Sequence, residues 1–257
     1  MQGPARWGGR ATAARIEPAG RLRHKEGQAG GQAVIELRQV GMGYGGRRLF
    51  AGLDLSLQPG SFHFLTGPSG AGKTTLLKLC YAELRATEGQ VMLFGQDTRS
   101  MGRDAVALAR RRIGVVHQDC QFLDHLPLAE NILLPLTVAG RRAEGEVHLP
   151  ELLAWVGLSR RADALPPELS GGERQRAALA RAVITGPEVI LADEPTGNID
   201  WDMSQRLLTL LVELNRMGRA VLVATHDLTL IRAAKAQVAA RVLRLREGRL
   251  LQAGADL

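Results

Sequence analysis

The sequence predicts an α/β fold, in which a buried parallel sheet carries helices on its faces, and three observations support this prediction. A glycine-rich turn, 67–74, follows the mostly apolar run Phe62–Thr66, which is expected to be a short buried strand, and leads into a helical segment. Two further apolar runs, 189–192 and 220–224, are suited to fully buried parallel strands. An amphipathic stretch, 204–215, lies between these two runs, and such alternation of strands and helices is typical of α/β proteins.

The glycine-rich turn has the composition of a phosphate-binding loop. In chain order it consists of Gly67, Pro68, Ser69, Gly70, Ala71, Gly72, Lys73 and Thr74. Glycines let the backbone N–H groups approach phosphate oxygens, and the helix start adds the positive end of its dipole. We expect Lys73 to hold the β- and γ-phosphates and the Thr74 hydroxyl to coordinate Mg²⁺, which prefers oxygen ligands. This motif alone leaves kinases, GTPases, helicases and transport ATPases open.

Two carboxylates, Asp193 and Glu194, follow the apolar run 189–192. Open α/β sheets bind ligands at the carboxyl ends of their strands, which is where these side chains are expected. We expect Asp193 to contact Mg²⁺ or a water bound to it, and Glu194 to polarise the water that attacks the γ-phosphate. The alternative is that both carboxylates merely solvate the end of a strand.

The run Leu169–Arg176 reads LSGGERQR and resembles the signature of the ATP-binding cassette (ABC) family, LSGGQ or LSGGE followed by a Gln-Arg pair. The resemblance implies an ABC nucleotide-binding domain at 33–257. It would consist of a P-loop NTPase core of the RecA type, an antiparallel β subdomain and an inserted α-helical subdomain at about 119–177. It also implies that ATP is bound with Mg²⁺ and hydrolysed.

In that family the signature begins a helix that points at the γ-phosphate of nucleotide held by the other subunit. The residues that this implies are Ser170, Gly171, Gly172 and Glu173. Each subunit then contributes half of two sites. Because the chain carries one copy of each motif, the resemblance implies a homodimer with two ATP molecules between its subunits.

The remaining family landmarks fall in the family's order along the chain. Tyr44, expected just before the first pair of core strands, matches an aromatic that stacks on adenine, and Thr75 belongs to the phosphate-binding set. Gln118 matches a glutamine that contacts Mg²⁺, Asp200 belongs to a loop that touches the opposite subunit, and His226 matches a histidine that contacts the γ-phosphate.

The resemblance therefore distributes the roles in the site among a small number of side chains. Catalysis is assigned to Glu194, His226, Lys73 and Gln118, and the metal to Thr74, Gln118 and Asp193. His117 stands where relatives usually have an aromatic residue. We interpret this difference as a change in packing, with a pH effect as the alternative.

Basic charge is concentrated near the N-terminus. The formal net charge is +7, and residues 1–32 carry six basic against two acidic side chains, which leaves +3 for the rest of the chain. Nucleic-acid binding is therefore not expected. We expect 1–32 to be a disordered extension or the product of a misassigned start site, and contact with anionic lipid headgroups is the alternative.

The chain carries no apolar stretch near the length of roughly 18 to 20 residues that crosses a bilayer, so another chain would have to supply any membrane span. Its two cysteines, Cys80 and Cys120, form no metal-type cluster, which favours reduced thiols in a cytosolic protein. The segment 122–138 is unusually apolar. In the family this surface receives a short cytoplasmic helix of a membrane subunit, and ordinary core packing is the alternative.

Within the family, the stretch 192–200 resembles lipoprotein-release, macrolide-export and cell-division ATPases, and 69–79, 112–119 and 214–227 favour the cell-division group. This resemblance implies an FtsX-like integral membrane partner without a transport path. It would control periplasmic peptidoglycan hydrolases at the septum, with the ATPase at the cytoplasmic face of the bacterial inner membrane. The alternatives are an exporter or lipoprotein-release ATPase and a soluble cassette that acts on DNA or ribosomes.

Overall fold

The computed structural model describes residues 32–45, 47–197 and 199–252. The expected disordered extension, apart from Gln32, lies outside these residues. The strands of the described part are, in chain order, β1 (Ile35–Tyr44), β2 (Arg47–Leu57), β3 (Phe62–Thr66), β4 (Glu88–Leu93), β5 (Gln96–Asp97), β6 (Ile113–Val116), β7 (Val189–Asp193), β8 (Ala220–Ala224), β9 (Ala240–Arg246) and β10 (Arg249–Gln252). The α-helices are α1 (Lys73–Cys80), α2 (Arg103–Arg110), α3 (Leu128–Val138), α4 (Arg142–Trp155), α5 (Gly171–Val183), α6 (Trp201–Arg216) and α7 (Leu228–Lys235).

The strands form two sheets. The large sheet has the order β10-β9-β3-β8-β7-β6, in which the five strands from β9 to β6 are parallel and β10 is antiparallel to β9. The small sheet, β2-β1-β4-β5, is antiparallel throughout. The predicted α/β core with an additional antiparallel sheet is therefore confirmed. The chain turns between β9 and β10 at Glu247 and Gly248.

Residues 189–192 of β7 and all of β8 are apolar because both faces of the large sheet are covered, whereas β3 includes His63 and Thr66. In β7, Ile190 and Ala192 pack with the helices on one face, whereas Val189 and Leu191 pack on the opposite face with α1 and the small sheet. All five residues of β3, β7 and β8 are buried. A strand that alternated polar and apolar residues would leave polar groups unpaired inside one of these two cores.

The helices α3 and α4 lie between β6 and α5, in the region of about 119–177 where a helical insertion is predicted. The helix α5 runs through the predicted end of that insertion without a break. Its second half packs on the large sheet: a Cβ at Gly114 of β6 would lie 2.3 Å from the carbonyl oxygen of Ala182. One helix therefore crosses the predicted boundary of the insertion, and the division of the chain into subdomains stays a prediction.

One buried polar group in the large sheet has a consequence for acid stability. His63 of β3 is 3% exposed, and its Nδ1 has no hydrogen-bond partner in the described part of the chain. Burial, together with the charge of Arg241 opposite it on β9, lowers the pKa of His63 to about 4. The ordinary value is about 6.5, so the unfolded chain takes up a proton at a higher pH than the folded protein does.

We predict that His63 does not make the free energy of unfolding depend on pH above about pH 6.5. As the pH falls from there towards 4, it should lower that free energy progressively, by about 3 kcal/mol in all. His63→Leu should therefore flatten the dependence of the free energy of unfolding on pH in that window, as measured by urea denaturation. His148→Gln, at an exposed histidine, is the control. A His63→Leu protein as acid-sensitive as the parent would contradict the prediction.

Candidate active site

The phosphate-loop sequence forms the turn between β3 and α1, as predicted. Gly67 has φ +153°, and a Cβ there would lie 2.4 Å from the carbonyl oxygen of Leu245, so no other residue fits. Gly72, at the start of α1, has φ +101° and no side chain that could cap the helix. The first N–H groups of an α-helix lack intrahelical acceptors, so α1 presents donors and a positive dipole end to an anion at this turn.

Three predicted catalytic side chains meet in one network at the carboxyl edge of the large sheet. Lys73 Nζ lies 3.5 Å from Glu194 Oε1 and donates to the carbonyl oxygen of Gly67 at 3.0 Å. His226 Nδ1 lies 3.1 and 3.0 Å from the two carboxylate oxygens of Glu194. The carboxylate is 13% exposed and the imidazole 74% exposed, so the histidine forms the outer wall of the site.

The backbone holds Glu194 in an uncommon conformation. Its φ is +43°, in the left-handed region, where a residue other than glycine costs about 1–3 kcal/mol. Its N–H donates to the carbonyl oxygen of Ala224 at 2.8 Å, and its own carbonyl accepts from Gly197 at 3.1 Å. These hydrogen bonds fix the carboxylate between the ends of β7 and β8, where it points towards Lys73 and His226.

The residues assigned to the metal supply the oxygen donors that Mg²⁺ prefers. Asp193 is buried at the end of β7, and its Oδ1 is without a hydrogen-bond partner among the described residues. Burial raises the pKa of Asp193, whereas a hydrogen bond with Thr74 opposes the rise. A buried carboxyl oxygen without a donor, next to a hydroxyl, fits a cation ligand, because an unpaired charge here costs free energy that a cation would offset.

Gln118 follows β6 at the same edge of the sheet, and the segment after it is attached to α5. Gln175 of α5 donates to the carbonyl oxygen of Gln118 at 3.3 Å. Arg181 donates to the carbonyl oxygens of Cys120 and Gln121, the latter at 2.8 Å. Both of these acceptor residues have left-handed φ values, +56° and +46°. The arginine therefore stabilises a strained turn directly after the predicted metal ligand.

The surroundings of His117 and Tyr44 bear on the predictions made for these two positions. His117 makes an edge-to-face contact with Tyr81, with ring centroids 6.1 Å apart, and burial lowers its pKa. This contact supports the interpretation of His117 as a change in packing.

The prediction that Tyr44 precedes the first strand pair is wrong. Tyr44 is the last residue of β1 and pairs with Arg47 across the turn to β2, which extends the strand. Its ring is 52% exposed, and its role towards adenine stays a prediction.

The signature run begins α5, as the resemblance implied. Ser170 is the N-cap, and its hydroxyl accepts from the N–H of Glu173 at 3.3 Å while the Glu173 carboxylate accepts from the N–H of Ser170 at 2.9 Å. This is a capping box, which satisfies donors at the helix start. No hydrogen bond or ion pair of the described residues joins this helix start to the phosphate loop of the same chain.

The starts of α5 and α6 are packed against each other through Met203. A Cβ at Gly172 would lie 3.0 Å from Met203 Cγ, and the guanidinium of Arg176 contacts the Met203 sulfur. Asp200 is the N-cap of α6 and accepts from the N–H of Met203 at 2.9 Å. The predicted subunit-contact loop and the signature helix therefore form one packed unit. Asn198 of that loop lies outside the described residues.

Two adjoining clefts open at this edge of the sheet, and both are lined by His226 and Leu228. A cleft of about 330 Å³ is completed by Glu194, Thr196, Gly197, Thr225 and Asp227. The second, of about 360 Å³, is completed by Thr66, Gly67, Pro68, Arg244 and Arg246.

The comparisons with known proteins agree with this geometry. The family model described as ABC transporter matches residues 50–197, more than half of the chain. The chain belongs to the ABC transporter family. The chain is therefore an ABC-type ATPase, and ATP is its substrate. A solved dimeric structure of a bacterial ABC transporter cassette is similar with a TM-score of 0.74 and 32% identity, over 84% of this chain and 96% of that one.

Curated relatives with high coverage are cell-division proteins. The cell division ATP-binding protein FtsE of Haemophilus influenzae is 41% identical over 201 residues, which cover 77% of this chain and 92% of that protein. FtsE of Escherichia coli K12 is 41% identical over 219 residues, which cover 84% and 97%. A post-hydrolysis cassette structure bound to ADP and phosphate is similar with a TM-score of 0.74 and 31% identity, over 85% of this chain and 97% of that one.

Sequence reasoning missed several side chains that the fold places at the site. Arg244 and Arg246 lie on the exposed part of a strand and reach the cleft beside Pro68 only because β9 pairs with β3. Gln175 was noted only as part of the Gln-Arg pair after the signature, and Arg181 was part of an ordinary helical sequence. Trp201 lines neither cleft, but it is 46% exposed directly after Asp200, and a large aromatic beside a predicted contact loop is a signal that the sequence offered.

We predict that Lys73→Ala weakens ATP binding by roughly tenfold or more, because it removes a charge-assisted contact to phosphate. The measurement is titration with a fluorescent ATP analogue. Lys78→Ala is the matched control: it lies on the same helix, is paired with Glu83 at 2.9 Å and is partly exposed. Equal affinities of the Lys73→Ala and Lys78→Ala proteins would exclude the assigned role of Lys73.

Proposed function

We propose that the cassette is the ATPase subunit of an FtsE-like complex, in which two copies close on two Mg²⁺–ATP molecules and drive an FtsX-like integral membrane partner. The observation that carries the catalytic part is the network of Lys73, Glu194 and His226 at the carboxyl edge of the large sheet. It brings a phosphate-binding cation, a carboxylate and an imidazole together at a turn built to bind phosphate.

In the proposed reaction, ATP phosphates bind at the turn 67–74 and replace Glu194 as the partner of Lys73. Glu194 then accepts a hydrogen bond from the attacking water, oriented by its fixed backbone. His226 donates its ring N–H to the γ-phosphate, which replaces Glu194 as its acceptor. Mg²⁺, held by Thr74, Asp193 and Gln118, would neutralise charge that develops on the phosphates.

The second half of each site would come from the other copy. The signature helix start makes no hydrogen bond or ion pair with the phosphate loop among the described residues, although its N–H groups and Ser170 hydroxyl are suited to an anion. A similar cassette whose structure is dimeric supports the same arrangement here. Ser170, Gly171, Gly172 and Glu173 of one copy would then complete the site that contains Lys73 of the other.

We predict that Glu194→Gln retains ATP binding, reduces hydrolysis by at least about a hundredfold and accumulates an ATP-dependent dimer, because the amide cannot act as a base. Phosphate release and size-exclusion chromatography measure the two effects. Glu188→Gln, directly before the opposite end of β7, removes only an exposed pair with Arg112 and is the control. Wild-type turnover in the Glu194→Gln protein would remove Glu194 from its role.

The membrane part of the proposal has three supports: the similarity to FtsE over most of the chain, the apolar segment 122–138 and the turn after Gln118. Much of that segment is core, since Leu128, Ile132, Leu133 and Leu136 are buried. Its exposed apolar side chains are Leu123 and Val138, which narrows the proposed docking surface to the two ends of the segment. No helix within the described residues is long and apolar enough to cross a membrane.

We expect Glu194→Gln protein, purified with ATP from detergent-solubilised membranes of its source, to carry a four-span partner with an extracytoplasmic loop. This result would support a location at the cytoplasmic face of the inner membrane and a role in septal peptidoglycan hydrolysis. Leu123→Asp, at the proposed surface, should reduce the yield of partner, whereas Val147→Asp, at an exposed position on α4, should not.

The identity of the co-purified chain decides between the alternatives. An exporter or lipoprotein-release subunit would move the cassette to the transport ATPases. Reproducible absence of any membrane protein, with dimerisation intact, would contradict the FtsX-like partner and favour a cassette that works without a membrane subunit.

A further inference from the structure

The carboxylate at the start of the signature helix has a cationic partner that the sequence analysis did not identify. One oxygen of Glu173 accepts from the backbone N–H and from the hydroxyl of Ser170, both at 2.9 Å. The other oxygen accepts from Arg161 Nε, also at 2.9 Å. Arg161 thus lies on the side of the carboxylate that faces away from the signature serine.

Glu173 is ionised at neutral pH. The hydrogen bond from the N–H of Ser170 and those from Arg161 and the Ser170 hydroxyl lower its pKa, against an opposing effect of burial. Its side chain is 18% exposed. A permanent negative charge therefore lies beside the hydroxyl and the free N–H groups at this helix start, which is the place where an anion would otherwise bind.

The position of Arg161 is fixed by the backbone around it. It ends a 3₁₀ turn, Ser159–Arg161, in which its N–H donates to the buried Leu158 at 2.9 Å and its carbonyl accepts from Ala164 at 3.1 Å. The carbonyl of Ala164 in turn accepts from Leu128 at the start of α3, at 2.9 Å. The guanidinium is therefore delivered to Glu173 by an ordered loop.

We infer that Arg161 is a positioning residue of the ATP-sandwich dimer, which neutralises and orients Glu173 so that Ser170 can receive the γ-phosphate bound to a second copy of this chain. The inference rests on the proposed function. Without Arg161, an uncompensated carboxylate would face the incoming phosphate and would hold the Ser170 hydroxyl more strongly as a donor. Both effects oppose closure, and they occur twice in a symmetric dimer.

The chain offers a matched control and a rescue. Arg160, the preceding residue, is exposed and forms no ion pair within the part of the chain that the structure describes, so Arg160→Ala removes the same charge one position away. Glu173→Gln keeps a side chain of the same length that can accept from Ser170 but removes the negative charge. The protein with both Arg161→Ala and Glu173→Gln therefore lacks the carboxylate that would repel the γ-phosphate.

The test measures ATP-dependent dimerisation by analytical ultracentrifugation in the Glu194→Gln background, with full-length protein at increasing ATP. Arg161→Ala should raise the ATP concentration for half-maximal dimerisation about threefold, or about tenfold in the overall dimer equilibrium, from a charge pair lost twice. Arg160→Ala should match the parent. The defect should shrink near 1 M salt, where the screening length is about 3 Å.

A comparison in the Glu173→Gln background separates charge compensation from other roles of Arg161. Adding Arg161→Ala to Glu173→Gln should leave the ATP concentration for half-maximal dimerisation where Glu173→Gln alone sets it, whereas an arginine that acts independently of the Glu173 charge would raise that concentration by the same factor as in the parent. That second result would overturn the inference, and so would equal dimerisation of the Arg161→Ala and parent proteins. If Arg161→Ala does not fold, Arg161→Gln takes its place with the same expectations.

The outcome for the parent distinguishes this inference from the proposed function. A Glu194→Gln protein that stays monomeric at saturating ATP would overturn the sandwich dimer, and the inference with it. A parent that dimerises while Arg161→Ala behaves like Arg160→Ala would overturn the role of Arg161 alone.

Discussion

The parallel register of β3, β8 and β7 is the constraint on which the site depends. Parallel pairing brings the carboxyl ends of these strands to one edge, so that the phosphate loop after β3, Glu194 after β7 and His226 after β8 become neighbours although they are far apart in the chain. The hydrogen bond from Glu194 to Ala224 joins two of these ends directly. Both faces of the large sheet are covered, which holds this edge in place. The strained backbone conformation of Glu194 is tolerated because the surrounding structure enforces it.

The helix α5 is the second element on which the site depends, because it carries the signature residues and also contacts Gln118 and the turn that follows it. Its start carries Ser170 and Glu173, its middle holds the backbone of Gln118 through Gln175, and its end stabilises the turn after Gln118 through Arg181. Close packing makes such a helix move as a unit. In the proposed dimer, displacement of the segment 122–138 would be transmitted both to the predicted metal ligand Gln118 of one site and to the signature residues of the other.

Much of the fold and most site residues could be predicted from the sequence because each depends on local chemistry. Apolar runs without alternation indicated β7 and β8, and the glycines around Lys73 indicated the turn that contains them and a short buried strand, β3, before it. Tyr44 was misplaced because its strand is extended by pairing with β2, and cross-strand pairing is not visible in a single segment. The second cleft, with Arg244 and Arg246, was missed for the same reason.

The sequence by itself determined the class of fold, the nucleotide chemistry and the family, since a phosphate loop and a signature helix require particular residue types at fixed local spacings. Only the tertiary structure decided which side chains touch: the contacts of Glu194 with Lys73 and His226, the attachment of Gln118 to α5 and the pairing of Arg161 with Glu173. The physical reason is that these contacts join strand ends, loops and helices whose separation in space is set by strand order and helix packing, and local sequence carries no record of that separation.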